Sequence, residues 1–291
     1  MTPLPRALIL ALAFCFGLPL VQISGTLHGQ AVPTDSILAI AHRLFAEATL
    51  LANQGLHDEA ETRLWQTLSI REKALGLDHP DVALTLHNLG FIYNAQGRYE
   101  EAEPLLRRAL IIRETAFGPQ HLEVALTLNS LAFTYGVQSR YDKAEPLYER
   151  ALAIDEIVLG PNHLEVAHIL SNLGMLYDDL GRYAEARTIY ERVLVIREAA
   201  LGSSHPNVAN ILINLASLYH HQGRYTEAVP LYRRALDIRR AELGPEHSDT
   251  SLALENLILA CELLFALPDV VQEQRSITAP ESMAMLCRLS P

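Results

Sequence analysis

The chain has 291 residues, 49% of them hydrophobic, with 23 Lys and Arg against 34 Asp and Glu. That length can bury a sizeable core in one or two domains, and a formal charge of -11 repels a phosphate backbone and an anionic membrane surface alike. Nucleic acid is therefore not an expected partner, and any membrane contact is left to the N-terminus.

That N-terminus carries one early positive charge, Arg6, then an apolar run from Ala7 to Leu20 broken by Gly17 and Pro19, with no acid before Asp35. The layout is that of a secretory signal over residues 1–31, with Gly29-Gln30-Ala31 as its cleavage site and Val32 opening the mature chain. It implies a secreted or periplasmic protein; the other reading is an uncleaved membrane anchor over residues 7–24, near the lower limit for a span. Beyond the signal only Cys261 and Cys287 remain. In an oxidising compartment they either bridge or stay as two separate buried thiols.

A linker at 32–40 leads into a degenerate helix pair at 41–75, which keeps Ala48, Gly55 and Ala60. From there the chain repeats itself. His79, His121, His163, His205 and His247 recur every 42 residues, each three after Gly76, Gly118, Gly160, Gly202 and Gly244. Leu89, Leu131, Leu173, Leu215 and Leu257 keep the same offset, as do Asn88, Asn172, Asn214 and Asn256, with Ser130 substituting once. Repetition at this period means stacked supersecondary units. Four clear units fill 76–117, 118–159, 160–201 and 202–243, a capping half-unit fills 244–267, and a tail runs over 268–291.

Each unit reads as two helices. Val82, Leu86, Leu89 and Tyr93 make one stripe, and Ala102, Leu105, Leu106, Ala109 and Leu110 another. Gly97, Gly181 and Gly223 supply a left-handed residue between the two, with Ser139 as the exception. Gly118-Pro119 stops the second helix. Asp81, Glu123, Glu165, Asn207 and Asp249 open each first helix, at the positive end of its dipole. Gly90, Ala132, Gly174 and Ala216 are expected to oppose Ala102, Ala144, Ala186 and Ala228 where the helices cross. Pro104, Pro146 and Pro230 fall inside the second helix, where a mild bend is expected.

Leu89-Gly90, Tyr93, Ala102 and Ala109 stand at the spacing of the tetratricopeptide repeat. The segments Asn88-Leu89-Gly90, Gly97-Arg98-Tyr99-Glu100-Glu101-Ala102 and Arg108-Ala109-Leu110 resemble its kinesin light chain type, over roughly 41–265. The resemblance implies an all-α right-handed superhelix of stacked antiparallel hairpins, a protein-interaction scaffold whose first helices line a groove for an extended peptide or partner protein. Carried over residue by residue, the ligand positions are His87, Asn88, Phe91 and Asn94; Asn129, Ser130 and Phe133; His168, Ser171, Asn172, Met175 and Asp178; and Asn210, Asn214, Ser217, His220 and His221. These positions hold no Lys or Arg, unlike members that clamp a C-terminal carboxylate.

The asparagines suit a peptide backbone, because each amide both donates and accepts, while Phe91, Phe133 and Met175 would form shallow apolar pockets. The competing reading is that the asparagines bond to neighbouring helices inside the stack. The loop histidines lie one per unit and cannot converge on one ion, so loop packing explains them better than metal binding. His220-His221 could form a metal site only with His168 or Asp178. No cofactor and no catalysis is expected: there is no Gly-rich phosphate loop and no Gly-x-Ser-x-Gly elbow. A monomer is expected. The alternative role is an architectural subunit of an envelope complex, held by its convex face or its C-terminal end.

Overall fold

The computed structural model describes residues 34–266. The signal segment, the tail and Cys287 lie outside the described residues, and so does the question of a bridge to Cys261, which is buried in the core of α11. Among the described residues there are eleven α-helices and no strand. They run α1 Thr34–Asn53, α2 His57–Leu75, α3 Pro80–Ala95, α4 Tyr99–Phe117, α5 Leu122–Val137 and α6 Tyr141–Leu159. The series continues with α7 Leu164–Asp179, α8 Tyr183–Leu201, α9 Pro206–His221, α10 Tyr225–Leu243 and α11 Ser248–Phe265. Helix α1 begins ahead of the expected Ala41, so the stretch read as linker is largely helical. None of these helices is long and apolar enough to cross a membrane.

The helices form two compact units, α1–α4 and α5–α11, divided at Gly118. Within each, odd and even helices pair as antiparallel hairpins and successive hairpins stack. In the first unit Leu64 and Leu68 of α2 meet Val82, Leu86 and Leu89 of α3 and Ile112 of α4. In the second, Leu257 and Leu264 of α11 close the stack over Val229, Tyr232 and Leu236 of α10.

The repeated histidines turn out to start the first helices. Each takes an extended conformation just before its helix, and its Nδ1 accepts the N–H of Asp81, Glu123, Glu165, Asn207 or Asp249 at 3.1–3.2 Å. Imidazole here does what Ser or Asp does at most helix N-termini. The first helices end in a Schellman turn. Gly97 sits at φ +75°, and Ser139 takes φ +58° in the same place, so the serine adopts the left-handed conformation rather than abolishing the turn. The next residue donates its N–H back to the tyrosine carbonyl, as Arg98 does to Tyr93 at 2.8 Å. Its guanidinium then covers the same ring, with Arg98, Arg140, Arg182 and Arg224 lying 4.0–4.7 Å from the centroids of Tyr93, Tyr135, Tyr177 and Tyr219.

Two arginines of the α3–α4 hairpin and two of α7–α8 also reach the preceding hairpin. Arg182 bonds Glu145 at 2.7 Å, and Arg192 bonds Glu156 at 2.7 Å and the Pro161 carbonyl at 2.8 Å. These charge-assisted bonds fix the stacking register. Helices α4, α6 and α10 continue through Pro104, Pro146 and Pro230. The close approach within a hairpin differs from expectation. A Cβ built on Gly174 would stand 2.5 Å from Tyr190 Cε1, and one on Gly90 would stand 2.5 Å from Leu106 Cγ. The glycine therefore makes room for the large residue sixteen positions on, one turn past the alanine at which close contact was expected.

Candidate functional site: the first-helix face

In the first unit, α3 carries the candidate residues. Asn88 Nδ2 donates to its own helix, to the Leu84 carbonyl at 2.8 Å, and Phe91 leans half-buried on the core. His87 and Asn94 are buried. Burial, with the Arg113 charge adding to it, pushes His87 down to about 3, so its ring is neutral at physiological pH. His87 is thus an interior residue and not the exposed ligand contact expected.

In the second unit, α5, α7 and α9 lie side by side. Their polar residues fall into two sets. Asn172 is 6% exposed, and its Nδ2 donates to Asn129 Oδ1 at 3.0 Å, tying α7 to α5. Ser171 donates to the Ala167 carbonyl at 2.7 Å and accepts from Arg197 at 3.0 Å. Asn210 Oδ1 accepts from Arg239 at 2.9 Å, and Ser217 pairs with Tyr232 Oη at 2.9 Å. For Asn129, Asn172 and Ser171, then, the inter-helix reading replaces the peptide-backbone reading. Buried amides must find partners, and the adjacent hairpin supplies them.

The second set stays at the surface. Ser130, Phe133, His168, Met175, Asp178, Asn214 and His220 are half-buried, and His221 is exposed. His221 Nδ1 lies 3.4 Å from Asp178 Oδ1, and that bond raises the imidazole's affinity for its proton. Burial, then Asp178, pushes Asp179 up. His220 packs its edge on Tyr225, with centroids 5.3 Å apart, and burial lowers it. Burial lowers His168 too. Among the described residues no group of three His, Cys, Asp or Glu side chains is placed to hold a metal ion.

Sequence reasoning missed a further period-42 series on the second helices: Arg71, Arg113, Asp155, Arg197 and Arg239. The arginines are structural. Arg71 donates to the Asp81 carbonyl and to Thr85 Oγ1, both at 2.9 Å. Arg197 and Arg239 reach the carbonyls of Asn207 at 3.0 Å and Asp249 at 2.9 Å. Asp155, the one acid of the series, is 6% exposed and has no hydrogen-bond or ion-pair partner among the described residues. Burial, with the Glu165 charge adding to it, pushes its carboxyl up to about 6. The recurrence itself was the available signal.

Raised affinity for the proton fixes a sign. The folded state holds the Asp155 proton up to about pH 6, whereas the unfolded chain releases it near 3.8. Stability from this group is therefore complete below 3.8 and is lost as pH rises through about 6. Asp155→Asn is expected to match the parent near pH 4 and to exceed it by on the order of 2 kcal/mol above pH 7, measured as a difference in thermal melting across that range.

A model of the tetratricopeptide repeat matches residues 38–115, 81–157, 123–199, 179–241 and 207–265. Among solved structures, the chain is similar to the Podosopora anserina putative kinesin light chain with nearly identical TPR-like repeats. Identity is 25%, over 70% of this chain and 97% of that one, with a TM-score of 0.59. It is also similar to BtubC (BKLC) from P. vanneervenii, at 24% identity over 74% of this chain and 94% of that one, with a TM-score of 0.57. The apo form of RapI, at 16% identity over 85% of this chain and 96% of that one, has a TM-score of 0.60. No curated protein matches the chain in sequence.

Proposed function

Because this chain belongs to the tetratricopeptide repeat family, we infer that it is a scaffold holding an extended segment of a partner protein on the first-helix face of its second unit, and that it runs no reaction. The observation that carries this reading is the surface set on α5, α7 and α9. Phe133 and Met175 are only half-buried although both are apolar, and they stand among polar side chains, of which Asn214 has no hydrogen-bond partner among the described residues. An apolar floor with amide and hydroxyl neighbours is what an extended peptide needs. The N-terminal segment supports delivery to the periplasm or outside the cell, with anchoring through residues 7–24 as the other route.

A second reading has its own observation. On the second helices Ile157 is 76% exposed and Val195 66%, and exposed apolar side chains of this size mark contact surfaces when they cluster. In that reading the protein is an architectural subunit held by its second helices. The two readings separate by photocrosslinking the full chain in envelope extract, with benzoylphenylalanine placed at position 214 or at position 157. Adducts from position 214 alone are expected, and their yield should fall about tenfold on adding Phe133→Glu while the melting temperature of that variant holds. Adducts from position 157 alone would reject the first-helix face.

A further inference from the structure

The series Arg71, Arg113, Asp155, Arg197 and Arg239 places a cation at every hairpin but one. Where the arginine is present in the second unit, its guanidinium answers acceptors from the next first helix, as Arg197 answers the Asn207 carbonyl and Arg239 answers Asp249. At the Asp155 register the series holds a carboxylate, and the charges acting on it are a second carboxylate, Glu165 at the start of α7, and in the opposite sense the His163 imidazole that caps the same helix. Asp155 has no hydrogen-bond donor and no arginine against it among the described residues, where the repeat elsewhere sets a permanent cation. A largely buried carboxylate without a hydrogen-bond partner is unfavourable, and the sibling positions on the other second helices are arginines.

Charge on the surrounding helices points the same way. Helices α5, α7, α9 and α11 contain no Lys or Arg, while Asp178, Asp179 and Glu255 add to Glu165 along them. A metal ion is a poor occupant, because no third ligand converges and hard divalent cations take six or more oxygens. Asp155 keeps a residual exposure of 6%, so its carboxyl group is not sealed from the surface. We propose that Asp155 and Glu165 form a receptor for an arginine or lysine side chain, carried by the partner segment that lies on the first-helix face. The proposal rests on the scaffold reading above and adds the chemistry of the partner: a basic segment, whose cation completes the series from outside. Arginine suits the site better, since its planar fork can bond both carboxylates at once.

The test uses the full chain and two labelled dodecapeptides, one alternating arginine with leucine and one alternating glutamine with leucine, with binding read by fluorescence anisotropy. The parent is expected to prefer the arginine peptide about tenfold or more at low salt, with the preference shrinking as salt rises. Asp155→Arg restores the residue of the sibling hairpins, so it should melt higher than the parent while the preference falls to about one. Asp155→Asn, which changes no shape, should lose the preference as well. A preference that survives both substitutions overturns the proposal. Equal binding of the two peptides by the parent, lost in Phe133→Glu, overturns it while leaving the scaffold reading intact; binding of neither overturns both.

Discussion

Tyr190→Ala is expected to cost about 4 kcal/mol of folding stability, read as a fall of roughly 10 °C in melting temperature. The ring is 1% exposed and lies against Gly174, with the distance from a built Cβ to Tyr190 Cε1 only 2.5 Å. Truncation removes a large apolar payload and leaves a hole that the neighbouring helices cannot close, because the same hairpin is held by Asn172 to Asn129 and by Arg182 to Glu145. The complementary substitution tests the cause. Gly174→Val pushes a branched side chain into the ring and should cost about 2 kcal/mol alone. Placed in Tyr190→Ala, it fills the hole instead, so the double variant should be more stable than the sum of the two by about 2 kcal/mol. Ala132 and Ala216 hold the same place in the repeat, sixteen residues before Tyr148 and Tyr232, and all four are buried. Gly174→Ala adds only the Cβ, without the branching methyls of valine, and should cost less than Gly174→Val. A strictly additive cycle would show that the glycine serves the helix backbone and not the ring.

The division between what the chain reveals and what it conceals has a physical cause. Helix pairs, their order and their ends were legible because each depends on residues close in sequence: a stripe at helical spacing, a left-handed residue after Gln96 or Leu180, and glycine at position 118. Even the substitution at Ser139 follows that logic, since the turn needs a backbone conformation that serine can still adopt. The register of the small residues was misjudged by one turn, because Ala102 and Leu106 lie on the same stripe and only the helix crossing decides which of them Gly90 meets.

The candidate site was less legible. Periodicity places Asn129, Ser171 and Asn172 on first helices, yet it cannot say where their hydrogen bonds go. Asn172 is paired across 43 residues, a partner that no local rule selects. One histidine per loop reads as packing in the sequence, and the sign of a cap is the residue two positions on, an acid or asparagine at the helix start whose N–H the imidazole accepts. The arginine series repeated as clearly as the histidines, and its significance lies in the hairpin that breaks it.

Arg239→Ala is expected to cost about 3 kcal/mol, and the loss should be confined to the end of the second unit. Arg239 is 4% exposed, donates to the Asp249 carbonyl and to Asn210 Oδ1 at 2.9 Å each, and lies 3.4 Å from Asp249 Oδ2. Its removal strands two acceptors and a carboxylate at the junction of α9, α10 and α11 and leaves the volume of its stem empty. Arg239→Lys keeps the charge but cannot span both acceptors, and should recover only part of the loss. Arg239→Met fills the stem without the bonds; if packing dominates, it will recover more than lysine does. Hydrogen exchange locates the effect: amides of α11 should open first, because among the described residues that helix is the last of the stack and packs on α10, while α5 to α7 keep their protection. The same position at Asp155 should respond with the opposite sign, gaining stability when arginine is installed. Two hairpins of one repeat then differ in which residue the fold prefers and which one it carries, and a residue carried against the preference of the fold is where a partner's contribution is to be sought.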